Sequence, residues 1–285
     1  MTHLNRAVAG LAGGGPIFYT GGHTGAELTF EAGRKAAATW ADYINVGMEH
    51  GTFDLAGLDQ FMQGLATAHR GSGAGPMPAV IVELPVEGAS AEIVRANAWQ
   101  VRQLLARGVH GLMLCHAECP DAVAALVEAV RLSFRGGRRG AGGHVSAAGI
   151  WGVSPAAYLE LADPWPLNPE GELLIGLKIE NRRALERAEE TTRVPGVAFA
   201  EWGPADMSMS FGYRGVPEDF ARPELTAARQ RVFGACRSAG IAFLEGATPD
   251  TVADKIDEGV RVFNAADEET ALRGRAHAAR RDGSS

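Results

Sequence analysis

Acids and bases recur at the ends of short apolar runs in this chain. One run closes on Glu49 and His50, the next on Glu83, and the next on Cys115, His116 and Glu118. Later runs close on Lys178 and Glu180, on Glu201, and on Glu245, with Asp206 just beyond Glu201. Glu180 and Asp206 on adjacent strands make a minimal oxygen-donor site for a divalent metal, magnesium or manganese, with cobalt as an alternative. Such ions keep several waters and accept a substrate's own oxygens. A chelated 2-keto acid would supply its carboxylate and keto oxygens. The metal would then stabilise the enolate left when a carbon–carbon bond breaks. Gly203-Pro204-Ala205-Asp206 offers the amides of Ala205 and Asp206 to the substrate carboxylate. The bland alternative is that Glu180 and Asp206 only cap the helices that follow them.

Lys178 lies two residues before Glu180, so the two share one side of a strand and Lys178 sits deeper. A deep lysine is costly unless it is paired, deprotonated or touching an anion. Glu49 is placed to orient His50 or a metal-bound water. His23, in Thr-Gly-Gly-His-Thr-Gly, either reaches the same pocket or is a solvated loop residue. Cys115-His-Ala-Glu-Cys119 lacks the spacing of a metal cluster, so Cys115 reads as core, with His116 and Glu118 at the pocket. Arg135, Arg138 and Arg139 form a solvated loop or a clamp for a dianionic substrate.

The elements that must position these residues alternate in type. Eight strand-like runs occur, at Pro16–Tyr19, Tyr43–Val46, Ala79–Val82, Gly111–Cys115, Leu174–Ile179, Val197–Ala200, Ile241–Leu244 and Val260–Phe263. Helical spacing of apolar residues marks Ala26–Thr39, Leu55–Ala68, Ala91–Arg107, Asp121–Leu132, Arg182–Thr191, Thr226–Ala239 and Thr251–Glu258. This order predicts an α/β fold, a (β/α)8 TIM-type barrel, as one domain over residues 1–285. In such a barrel the strand ends carry the chemistry. A doubly wound sheet is the competitor, but no glycine fingerprint follows the first run. The glycine-, arginine- and proline-rich stretch before the fifth strand reads as a long excursion, a lid or a subunit contact.

Of 285 residues, 46% are hydrophobic and 21% charged, with a net charge of −7 and no basic clustering, which argues against nucleic acid. Three cysteines fit a reducing cytoplasm rather than a disulfide framework. No run approaches the length of a membrane span, and the first residues are too weakly apolar for a secretory signal.

Gly47-Met-Glu-His50, Leu177-Lys-Ile-Glu180 and Gly203-Pro-Ala-Asp-Met-Ser208 together resemble the HpcH/HpaI aldolase/citrate lyase family, over about Pro16 to Ala279. The resemblance implies a (β/α)8 barrel assembled as a dimer to hexamer, with the C-terminal helix, about 266–281, exchanged between subunits. It implies metal ligation by Glu180 and Asp206, proton transfer by His50, and carboxylate binding by the Gly203–Asp206 amides. The implied reaction is that of a metal-dependent aldolase or decarboxylase acting on a 2-keto acid.

Three positions depart from the family pattern. Glu83 stands where an arginine steadies the enolate, Lys178 stands for a glutamine, and Ala106 for the acid that partners the histidine. The departures suggest a relocated cation, with Lys178 replacing the arginine and Glu83 pairing with it. A variant has Lys178, its pKa lowered, forming a Schiff base. A malyl- or citramalyl-thioester lyase, a keto-acid tautomerase and a non-catalytic keto-acid-binding barrel remain as alternatives.

Overall fold

In the computed structural model, which describes residues 3–73, 75–281 and 283, the apolar runs become parallel strands. They are β1 (Ile17–Gly22), β2 (Tyr43–Gly47), β3 (Ala79–Glu87), β4 (Gly111–Cys115), β5 (Pro164–Trp165), β6 (Leu173–Lys178), β7 (Phe199–Glu201), β8 (Ala242–Ala247) and β9 (Val262–Ala265). The order is β4-β3-β2-β1-β9-β8-β7-β6, and β4 pairs with β6, so eight strands close into the expected (β/α)8 barrel. The two-residue β5 pairs with the start of β6, outside the ring.

Inward side chains fill the barrel. Tyr19, Tyr43, Ile81, Met113, Leu174, Phe199 and Leu244 form one buried cluster, with Tyr19 and Tyr43 stacked at 4.7 Å. A helix at Arg6–Ala12, capped by Asn5, buries Ala7, Val8 and Leu11 in that cluster and plugs the N-terminal end. Its few residues carry too short a pattern to announce a helix. The barrel is therefore closed below, and ligands enter at the C-terminal mouth.

The outer helices follow the expected positions with two physical adjustments. The side chain of Thr29 accepts from Ala32 N, so the second helix starts at Phe30 rather than Ala26. The expected helix over 91–107 breaks at Asn97, whose side chain donates to the Ile93 carbonyl.

The excursion is ordered. It forms helices at His144–Trp151 and Pro155–Leu161, which the glycine and proline content conceals. Trp151 donates to the Gly108 carbonyl at 2.8 Å and stacks on His110. Arg139 is buried, donating to Tyr158 Oη and the Ala162 carbonyl. Arg138 pairs with Glu128, and Arg135 with Glu160. The arginine run thus ties the excursion to the outer layer, and no residue of the excursion lines the mouth cavity. Neither the lid nor the dianion clamp is realised.

The helix Glu268–Arg281 packs on its own barrel, Gly274 against Phe18 and Arg275 bonded to Asp42 at 2.9 Å. Among the described residues, no helix is long and apolar enough to cross a membrane.

Candidate active site

A cavity of about 680 Å³ opens at the mouth. Its inner wall carries His23, His50, Lys178, Glu180, Glu201 and the Gly203–Asp206 turn. Its outer wall is Trp202, Phe220, Thr226, Arg229, Glu245 and Lys255. Strand ends and the loops after them supply the inner wall, as the barrel rule requires.

Lys178 is the electrostatic hub. Its Nζ lies 2.8 Å from Glu49 Oε2 and 3.4 Å from Glu180 Oε2, and all three side chains are largely buried. Burial opposes the ammonium, but Glu180, Glu201 and Glu83 outweigh it and hold Lys178 above its ordinary pKa. The surrounding carboxylates thus favour the ammonium over the neutral amine that a Schiff base needs. Burial pushes the Glu49 carboxyl up, yet Lys178 brings it below the usual range. For Glu180 burial wins over Lys178, and its pKa is raised.

Backbone geometry locks Glu180 in place. The His116 amide donates to Glu180 Oε1 at 3.0 Å, and His116 adopts φ +45°, a conformation costly for a residue with a Cβ. Its imidazole is held by Asn181 at 3.0 Å, and Asn181 also bonds Glu118, which Arg183 grips with two bonds. On the other side Gly203, at φ +49°, presses against Glu180; a Cβ there would fall 2.3 Å from the Cβ of Glu180.

Donor atoms of Glu49, His116 and Glu180 lie within 4.8 Å of one another, the one such convergent group among the described residues. Asp206, half-buried on the helix Pro204–Ser210, lines the same cavity but is outside that group. Carboxylates with one imidazole suit a hard divalent ion, so the donor set fits the metal that the residue pattern implied.

Glu83 does not pair with Lys178. It is fully buried and meets His23 Nδ1 at 2.7 Å. That bond raises the His23 pKa, against burial. Glu201 is also buried, and burial lifts its carboxyl to about 7 despite Lys178 and His23. His50 is half exposed, and its Nε2 is 3.4 Å from Glu49 Oε2, an oxygen that Lys178 already holds.

The family model for HpcH/HpaI aldolase/citrate lyase matches residues 33–267. The chain belongs to the HpcH/HpaI aldolase/citrate lyase family. A hydroxypyruvate/pyruvate aldolase of Paraburkholderia phytofirmans is 28% identical over 80% of this chain and 77% of its own length. One of Sagittula stellata is 30% identical over 75% of this chain and 79% of its own. A solved HpcH/HpaI family protein of Burkholderia cenocepacia shares the fold, with a TM-score of 0.69 at 24% identity over 94% of this chain and 95% of its own.

Against the family pattern, the changed residues sit in two places. Glu83 and Lys178 face the barrel interior, where they bind His23 and the Glu49–Glu180 pair. Ala106 ends an outer helix and packs against Gly143 of the excursion, where a Cβ on the glycine would come within 2.4 Å of it. Cys115 is core, its thiol pushed up by burial. Glu245 is held by two bonds from Arg229 and one from Lys255. Sequence reasoning missed Arg229, Lys255, Thr226 and Asn264 as cavity wall. They carry no motif and reach the mouth only through the fold.

Proposed function

We propose that this HpcH/HpaI family member is a divalent-metal-dependent carbon–carbon lyase acting on a short 2-keto acid or hydroxy-keto acid. The observation that carries the reading is one buried carboxylate, Glu180, fixed beside Glu49, His116 and Lys178 on the wall that Asp206 shares. Glu180 and Asp206 would hold the ion, with Glu49 and His116 as further donors. When bound, the metal supplies positive charge to the keto oxygen as the enolate forms. The chain's own residues do the rest. Lys178 adds a compact ammonium at the keto-acid end, in place of the planar fork of the family arginine. The amides of Ala205 and Asp206 face the substrate carboxylate, and His50 is the exposed proton carrier at the rim.

Proton exchange tests this. The protein is incubated with manganese or magnesium and pyruvate in deuterium oxide, and the methyl proton signal is followed by NMR. Metal-dependent loss of signal, abolished by Glu180→Ala, is expected. Absence of exchange with pyruvate, hydroxypyruvate and longer 2-keto acids would overturn the reading.

A further inference from the structure

The loop after β1 places a second histidine–carboxylate pair in the cavity. His23 Nδ1 is 2.7 Å from Glu83 Oε1, and Glu83 Oε2 is buried without a partner. The nitrogen bound to the carboxylate carries the proton, which leaves Nε2 as the free lone pair. Nε2 has one weak neighbour, Tyr19 Oη at 3.4 Å, and the ring lines the cavity.

This position is built by glycines. At Gly47 a Cβ would fall 2.0 Å from the His23 carbonyl oxygen and 2.6 Å from its Cα. At Gly21, φ +115°, a Cβ would fall 2.2 Å from the Asn45 carbonyl oxygen. The loop therefore lies flat over β2, and Gly47, in register with Glu83, opens the line between Glu83 and His23. His50 has no comparable support, because its carboxylate neighbour Glu49 is committed to Lys178.

We propose that His23, positioned by Glu83, is the acid–base group for the substrate hydroxyl whose proton leaves as the carbon–carbon bond breaks. The proposal rests on the carbon–carbon lyase reading above. In the cleavage direction Nε2 takes the hydroxyl proton, and the O–H electrons form the carbonyl of the released aldehyde. The carbon–carbon bond breaks, and its electron pair stays on the keto-acid fragment as the enolate. The enolate carbon takes one proton from water, and the imidazolium returns its proton to the hydroxide left behind, so charge and atoms balance. In the addition direction the imidazolium protonates the new alkoxide.

The test separates the two half-reactions. Exchange of the pyruvate methyl protons needs the enolate alone, whereas aldol addition of pyruvate to glycolaldehyde, glyceraldehyde or glyoxylate also needs the hydroxyl proton. For His23→Gln, addition is expected to fall about 10²–10³-fold while exchange stays within a few-fold. Glu83→Gln should keep the bond to Nδ1 and lose addition less. Its acidic pH limb should move to lower pH, since Glu83 from β3 raises the histidine, beside Glu201 from β7 and Lys178 from β6. Addition by His23→Gln within threefold of wild type, or equal loss of both reactions, overturns the proposal. If that variant does not fold, an unmoved pH limb in Glu83→Gln overturns it. A wild-type protein that neither exchanges nor adds overturns the lyase reading itself. Exchange without addition to any of the three aldehydes overturns the hydroxyl role alone.

Discussion

Glu201 offers a test of the buried charge cluster that needs no substrate. Its carboxyl is enclosed at the end of β7, and burial lifts its pKa from 4.5 to about 7. The folded state thus holds its proton more tightly than the unfolded chain. A raised acid favours folding below the unfolded pKa, and that advantage is lost as pH rises through the folded value. The gap between 4.5 and about 7 corresponds to about 3 kcal/mol in full. About 2.5 kcal/mol of it falls between pH 5 and pH 8, because the unfolded carboxyl is already mostly ionised at pH 5. Glu201→Gln removes the ionisation and keeps the shape. Relative to wild type, the variant should gain about 2.5 kcal/mol more at pH 8 than at pH 5. Urea unfolding of the metal-free protein at both pH values measures the difference. The amide and the protonated acid leave similar unpartnered groups, so their cost cancels between the two pH values. Equal shifts at both, or a larger gain at pH 5, would refute the argument that Glu201 is buried as a costly charge.

Three further outcomes follow from the geometry. Lys178→Gln removes an ammonium 3.4 Å from Glu180, an attraction of about 5 kcal/mol at an effective dielectric near 20, most of which offsets burial of the charge. Manganese should bind about tenfold or more tightly by calorimetry while turnover falls; unchanged affinity would mean that lysine and metal do not compete. Gly203→Ala sets a Cβ into Glu180 at φ +49° and should cost about 1–3 kcal/mol and weaken manganese binding, read by thermal melting and calorimetry. Trp151→Ala should cost about 3–5 kcal/mol but leave KM near wild type, because the excursion braces the outer layer; a KM shift above threefold would return the excursion to the site.

The strands and the barrel were legible in the chain itself. Strand runs and helical spacing are local patterns, and eight strand–helix repeats admit few closed arrangements. The acids at the strand ends were legible for the same reason, since a barrel brings strand ends to one face whatever their distance in sequence. Pairing among those side chains was not legible. Glu83 and Lys178 look like partners by charge, yet β4 lies between their strands and carries Met113 into the interior at the level of Glu83. His23 is also one strand away from Glu83, but the strand between them offers Gly47, which has no side chain to intervene. The helices in the excursion were likewise hidden, because burial of Trp151 and Arg139 against distant residues outweighs a local composition of glycine and proline. Local sequence determined which acids and bases stand at the strand ends. Only the tertiary structure, through what stands between them, decided which acid each base would hold.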